Sequence, residues 1–233
     1  MGSNGRIMNW IRILVCGMVL LLAGLPVGDA GAAMRAASGS LNAQVVMARL
    51  QRHYQSTKAF SARFEQTIER VGAPPLRRSG QIHFEKPGKL RWEFETPQAE
   101  TIVSNGKTIY DYDPGLNQVV ETPLRQAFKS QAATAFLLGA GNLERDFIAA
   151  PVRGIGADGL IHLALTPKTG GNRIDVGIDR TTYNIQTMTI VDSLGNRTEL
   201  HFSDIEVNQP LAASLFQFSP PAGADIVGSQ GIQ

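Results

Sequence analysis

The sequence contains a single cysteine, Cys16, among its 233 residues. Cys16 lies in an apolar run near the N-terminus, so a chain without that run has no disulfide, no thiol nucleophile and no cysteine metal ligand. The formal charge is only +2, which excludes the strongly basic surface of a nucleic-acid-binding protein. The histidines show no paired spacing and predict no zinc site: His53, His83, His162 and His201. The sequence therefore predicts neither a metal nor another cofactor.

Motifs for catalysis are also lacking. The sequence has no G-x-S-x-G, and no serine has an evident base partner. The G-x-G-x-x-G at residues 154–159 precedes a predicted strand instead of a helix, so it predicts a hairpin turn and no nucleotide site. The segment from Asp111 resembles a calcium loop only at its start, because Leu116 and Thr122 occupy the positions that require glycine and glutamate. These absences favour a binding protein over an enzyme.

Carboxylates are frequent, but their spacing is typical of a solvated surface. Glu93, Glu95, Asp204 and Glu206 fall on the polar faces of predicted strands. Such side chains normally face water. A secreted hydrolase of lipids or peptides, assembled from residues distant in sequence, remains an alternative at this point.

The N-terminus has the order of a secretory signal peptide. Arg6 and Arg12 precede the apolar run at residues 13–25, and small residues follow at Ala30 and Ala32. The run is short for a membrane span, and a basic, then apolar, then small order predicts cleavage near Ala32. An uncleaved anchor is the alternative. Cleavage would remove two arginines and one aspartate and change the formal charge from +2 to +1. We therefore expect a signal peptide at residues 1–32, one domain at residues 33–233, and a periplasmic location.

Hydrophobic periodicity changes once along the rest of the chain. Residues 40–57 carry apolar side chains at helical spacing, with Ser40 as the candidate N-cap. Period-2 alternation follows in FSARFEQTIER, GQIHFEK and LRWEFE, which predicts strands with one polar and one apolar face. Further predicted strands are TIVS, KTIYDY, QVVET, LIHLALT, RIDVGID, IQTMTIV, RTELHFSDIEV and LFQFSP. Asn105-Gly106 predicts a hairpin between two of them.

An alanine-rich segment interrupts the strands. Residues 123–147 lack period 2 and predict one or two short helices. This segment and the first helix are the two pieces of chain long enough to lie across the mouth of a curved sheet. Many short strands with regular turns predict a sandwich or a barrel.

The ordered motifs resemble the LolA family, the periplasmic carriers of outer-membrane lipoproteins. The resemblance covers about residues 41–227 and rests on a series of segments, none of them specific alone: FSARFEQ, SGQIHFEKPGKLRWEFETP, IVSNGKTIYDYDPGLNQV, FLLG, DSLGNRTELHFSDIEVNQPL and LFQFSPPAGADIV. It implies a mainly β fold with an α lid. The expected architecture is an incomplete (half) antiparallel β-barrel whose concave apolar face is covered by short helices.

The resemblance also implies a site. Nine residues match the expected acyl-chain lining and lid: Phe64, Ile82, Phe84, Leu90, Trp92, Phe94, Phe136, Leu137 and Leu138. A plain hydrophobic core is the alternative for all of them. The family often has an arginine directly before the turn proline, where it holds the lid shut. This sequence has Lys86 before Pro87, and a lysine makes only a single-point contact. Arg91 falls on the other strand face.

The implied function is non-catalytic transport. A carrier of this family shelters the acyl chains of lipoproteins in its apolar cavity. It takes them from an inner-membrane ABC transporter complex of the Lol type and delivers them to an outer-membrane lipoprotein acceptor. We expect a monomer that binds no nucleic acid. A carrier or sensor of another periplasmic lipid, or a structural role in envelope assembly, are the alternatives.

Overall fold

The computed structural model describes residues 41–128, 142–150 and 154–228. The predicted signal peptide and the predicted lid residues Phe136, Leu137 and Leu138 lie outside these ranges. No helix within the described ranges is long and apolar enough to cross a membrane.

The strands of the described residues form one open sheet of twelve. Their bounds are β1 Ala59–Glu69, β2 Leu76–Glu85, β3 Lys89–Thr96, β4 Glu100–Asn105, β5 Thr108–Asp113, β6 Gln118–Pro123, β7 Phe147–Ala149, β8 Ile161–Pro167, β9 Arg173–Ile178, β10 Ile185–Val191, β11 Arg197–Val207 and β12 Asp225–Gly228. The order across the sheet is β12-β6-β5-β4-β3-β2-β1-β11-β10-β9-β8-β7. Neighbouring strands are antiparallel, except that β12 runs parallel to β6. The predicted half-barrel fold class is confirmed.

The predicted hairpin at Asn105-Gly106 joins β4 to β5. The Asn105 side chain accepts hydrogen bonds from the backbone N–H groups of Lys107 and Thr108. Gly106 has a φ of +90°, which a residue without Cβ adopts at little cost. The turn at residues 154–159 likewise leads into β8, closed by a bond from the Gly159 N–H to the Gly156 carbonyl. The sequence-based prediction of a turn there is confirmed.

The first strand lies in the middle of the sheet. β1 pairs with β2 on one side and with β11 on the other. The connection to β11 spans most of the chain, so two halves of the sheet, β2–β6 and β7–β11, meet at β1. Inward side chains from both halves form the main core.

The helix α1, Ala43–Ser56, covers the inner face of the second half. Asn42, and not the predicted Ser40, is its N-cap, and the Asn42 side chain accepts from the Gln44 and Val45 N–H groups. The buried side chains Val46, Met47 and Leu50 join the main core. The helix packs chiefly against β7, β8 and the short helix α3 described next.

The described part of the alanine-rich segment contains two short helices, in agreement with the prediction. α2 is Leu124–Phe128 and α3 is Leu143–Asp146. The Asn142 side chain caps α3 by accepting from the Arg145 N–H. The Gln51 side chain of α1 accepts a hydrogen bond from the Leu143 N–H, which ties α3 to α1.

The prediction of a strand at LFQFSP is wrong. Ala213–Phe216 forms a 3₁₀ turn on the outer face of the sheet, and the chain then returns as β12. The alternating phenylalanines pack against outward groups instead of joining a ladder. Phe218 stacks on the Tyr110 ring at a centroid distance of 5.3 Å, and the Lys89 ammonium lies 5.6 Å from the Phe216 ring centroid.

Candidate functional site

The strand register places the predicted lining on the inner face of the sheet. Phe84 lies opposite Leu90, and Ile82 lies opposite Trp92. Cross-strand partners in an antiparallel pair project from the same side. The inner face of β1–β3 therefore brings together six of the nine predicted residues: Phe64, Ile82, Phe84, Leu90, Trp92 and Phe94.

The six residues divide between two apolar clusters. Phe64 and Phe94 belong to the main core, 2% and 7% exposed. Phe84 and Leu90 form a second, smaller cluster near the turn that follows β2. Ile82 packs against both clusters. The predicted lining is thus part of the main core at Phe64 and Phe94, and it is separate from that core at Phe84 and Leu90.

Three aromatic rings form the centre of this face. The Phe64 ring meets the Phe94 ring edge-on, with centroids 5.2 Å apart, and the Trp92 ring stacks on Phe94 at 5.7 Å. Gly80 lies between Phe64 and Phe94 in the register. A Cβ there would collide with the Glu93 carbonyl oxygen, at 1.8 Å, and crowd the Phe64 ring. The glycine therefore makes room for the rings to meet across β2.

Lys86 lies at the end of α1. Its ammonium donates to the carbonyl oxygen of Tyr54 and, at 3.4 Å, to that of Gln55. Carbonyls in the last turn of a helix lack partners within the helix, and cations near them are stabilising. Burial lowers the pKa of the Lys86 ammonium.

Arg91 points to the opposite face, as the alternation predicts. Its guanidinium donates to the Leu215 carbonyl at 3.2 Å and pairs with Glu93. Arg91 therefore holds the C-terminal 3₁₀ turn against the outer surface and does not contact α1.

A charged cluster on the inner face escaped the sequence-based prediction. The Arg78 guanidinium pairs with Glu100 at 2.6 Å, and the exposed fractions of the two side chains are 4% and 15%. The same guanidinium lies 3.5 Å from the centroid of the Phe94 ring. Asp111 lies on the inner face beside this pair, opposite Ile102. The alternation in KTIYDY places Asp111 on the same strand face as Ile109. This was the one sequence pattern that could have indicated its inward position.

The Asp111 carboxyl group is the most strongly shifted acid of the cluster. Its pKa is raised from 3.8 to about 7, chiefly by burial and also by the neighbouring Glu100 and Asp113, while the charge of Arg78 opposes the shift. Two carboxylates beside one guanidinium cannot both ionise cheaply in an apolar wall.

Two histidines pair with acidic side chains on the outer side of the sheet. His162 pairs with Asp158 at 2.8 Å and His201 with Glu199 at 3.0 Å, both exposed on the outer side of the sheet. Within the described ranges, neither histidine hydrogen-bonds to a hydroxyl that could act as nucleophile. The same ranges contain no group of three His, Cys, Asp or Glu residues positioned to hold a metal ion.

Known proteins resemble the chain over most of its length. A family model described as "Outer membrane lipoprotein carrier protein LolA" matches residues 55–219. An "Outer-membrane lipoprotein carrier protein" of Dechloromonas aromatica is 38% identical over 177 residues, which cover 75% of this chain and 83% of that protein. A protein of the same name from Methylobacillus flagellatus is 35% identical over 185 residues, covering 77% and 87%.

A solved structure supports the fold independently. An uncharacterized conserved protein from Thermus thermophilus superposes with a TM-score of 0.52 at 15% identity, covering 80% of this chain and 98% of that chain. At this identity the likeness concerns the fold alone.

Proposed function

Because the chain belongs to the LolA family of outer membrane lipoprotein carrier proteins, we propose that it carries acylated lipoproteins through the periplasm. In this proposal the acyl chains lie against the inner face of β1–β3. The protein is non-catalytic, and cleavage near Ala32 releases it into the periplasm. The observation that carries the proposal is the continuous apolar face built from Phe64, Ile82, Phe84, Leu90, Trp92 and Phe94.

That face differs from a fully buried core at one pair of residues. α1 packs chiefly against β7, β8 and α3, in the second half of the sheet. Trp92 and Ile82 of the proposed face remain partly exposed. Partly exposed apolar side chains between two buried clusters suit a cargo that enters and leaves. Phe136, Leu137 and Leu138 are proposed as lid residues over this face.

Energetics explains why a carrier is required and why it needs help. A triacylated lipoprotein carries on the order of 40 methylenes, whose exposure to water costs roughly 30 kcal/mol at about 0.8 kcal/mol each. The free energy of non-covalent binding rarely exceeds about 21 kcal/mol, so the carrier cannot hold its cargo as firmly as a bilayer does. Loading then requires an external energy source, and release is downhill. An inner-membrane ABC transporter of the Lol type and an outer-membrane lipoprotein acceptor are the proposed partners of a monomeric carrier.

Lys86 is proposed as a latch between the sheet and α1. Lys86→Leu removes the hydrogen bonds to the Tyr54 and Gln55 carbonyls, each worth about 1 kcal/mol or somewhat more for a charged donor. We expect opening at the end of α1 to rise about tenfold and cargo release to accelerate. Stopped-flow transfer of a fluorescent lipoprotein measures the rate, and Lys86→Arg is the matched control. Unchanged transfer and unchanged amide exchange at the end of α1 would remove Lys86 from the mechanism.

The proposed function is tested by release of lipoproteins from spheroplasts. Purified protein added to spheroplasts should collect newly made, acylated lipoprotein in the soluble fraction, in a complex with the carrier. A variant lipoprotein whose N-terminal cysteine cannot be acylated should not be collected. If phospholipid or free fatty acid were the bound species instead, the protein would be a carrier or sensor of another lipid.

A further inference from the structure

Along β3 the apolar side chains of the inner face end at Phe94. Along β3 the inward side chains are Leu90, Trp92 and Phe94, which span about 13 Å at roughly 3.3 Å per residue. Next to Phe94 the Arg78 guanidinium covers the ring face, 3.5 Å from the centroid. The apolar row therefore ends under a positive charge.

The same boundary crosses the neighbouring strands. On β1 the inward residue after Phe64 is Gln66, which lies opposite Arg78 of β2. On β4 the inward partner of Phe94 is Glu100. On β5 the inward residue after Ile109 is Asp111. The polar groups thus lie along a diagonal across the sheet. Gln66 and Arg78 share one register row, Glu100 lies in the row of Phe94, and Asp111 lies one row further, in the row of Trp92 and Ile102.

The boundary is held in place by its own contacts. The Arg78–Glu100 pair is buried at 2.6 Å, and separating such a pair leaves a charge without compensation in an apolar environment. Asp111 adds a third polar group, and its burial beside Glu100 raises its pKa to about 7. A methylene chain offers no hydrogen bond to replace these contacts, so it cannot displace the cluster.

We propose that the Arg78–Glu100–Asp111 cluster is the end-stop of the acyl-binding face and limits the length of acyl chain that the face accommodates. The inference rests on the proposed function and assigns a specificity role to residues outside the apolar lining. For acyl chains that end before the cluster, each added methylene increases the affinity for the face. Longer chains must leave their remaining methylenes outside the wall.

The test compares saturated fatty acids of increasing length in competition with a fluorescent fatty acid. For the wild-type protein, affinity should rise about fourfold per methylene and then level off. In Arg78→Met/Glu100→Leu/Asp111→Leu, the rise should continue to longer chains, so that the longest acid binds at least about tenfold more tightly than to wild type. Replacing a buried ion pair with apolar residues of similar volume is often neutral or stabilising, so this variant should fold.

A second ion pair provides the matched control. Arg63 and Glu95 pair at 3.4 Å on the outer face, about half exposed. Arg63→Met/Glu95→Leu should leave the length at which affinity levels off unchanged. Asp111→Leu alone keeps the Arg78–Glu100 pair and should shift that length in the same direction by less, which provides a test if the triple variant is unstable.

The outcomes separate the two proposals. If wild-type binding depends on Leu90 but the levelling-off length is the same in the folded cluster variants, the end-stop is overturned and the acyl-binding face stands. If no fatty acid binds, or if Leu90→Glu leaves binding intact, the acyl-binding face fails and the end-stop fails with it.

Discussion

Leu90→Glu is expected to abolish lipoprotein release from spheroplasts while the protein stays folded. Leu90 is 8% exposed and belongs to the small cluster with Phe84, apart from the main core. A carboxylate there would face the bound acyl chains. Covering a charge without a partner costs several kcal/mol, which is more than the binding free energy that about two buried methylenes contribute. We expect at least about a tenfold loss of collected lipoprotein.

Leu194→Glu is the matched control for this prediction. Leu194 is 77% exposed in the turn between β10 and β11, so the same substitution adds a charge in water. Release should then equal that of wild type. Trp92→Glu is a less specific probe, because the Trp92 ring contacts both Phe64 and Phe94 of the main core. Normal release by a folded Leu90→Glu variant would show that the acyl chains lie elsewhere.

Asp111→Asn is expected to change the dependence of stability on pH. The pKa of Asp111 is raised from 3.8 to about 7 in the folded protein, so the folded state binds this proton more tightly than the unfolded state does. Its contribution to stability is complete below pH of about 4 and is lost as the pH rises through about 7. A shift of about three pKa units corresponds to about 4 kcal/mol, since each pKa unit is about 1.4 kcal/mol.

Urea unfolding at pH 5 and pH 8 measures this effect. Between these two values wild type should lose about 2 kcal/mol more stability than Asp111→Asn, because asparagine does not titrate. The lowered pKa values of His53 and His83 act in the opposite direction and are common to both proteins. Asp204→Asn makes the same substitution at an exposed position of β11 and should follow the wild-type curve. Parallel curves for Asp111→Asn and wild type would mean that Asp111 ionises normally inside the sheet.

The local structure was largely predictable from the sequence, because it follows from side-chain alternation and turn residues. Period 2 in FSARFEQTIER and LRWEFE placed Phe64, Trp92 and Phe94 on apolar strand faces, and Asn105-Gly106 placed the hairpin. These signals operate over a few residues. Each is a property of the backbone conformation that its residues prefer.

Long-range features were not accessible in the same way. The pairing of β1 with β11 and the parallel pairing of β12 with β6 join distant segments, and alternation within one strand does not name its neighbour. At LFQFSP the alternation was real, but Phe216 and Phe218 pack against rings and charges on the outer face and not within a ladder. The local pattern therefore misassigned the backbone of this segment.

The charged cluster shows a different limit. Arg78, Glu100 and Asp111 come from three strands. In the sequence, residue type does not distinguish them from the solvent-exposed carboxylates and arginines found elsewhere in the chain. Their burial follows from register, which sets them on the inner face beside Phe94. Only Asp111, in alternation with Ile109, carried a local sign of this position.

In the proposed mechanism the apolar face of β1–β3 carries the acyl chains of lipoproteins. Mass spectrometry of the material that copurifies with the protein from its own periplasm tests it most directly, with Leu90→Glu purified in parallel. We predict acylated lipoprotein bound to wild type at close to one per chain and absent from the variant. Phospholipid or fatty acid alone on wild type, or equal amounts of lipoprotein on both proteins, would show that this face does not carry lipoprotein acyl chains.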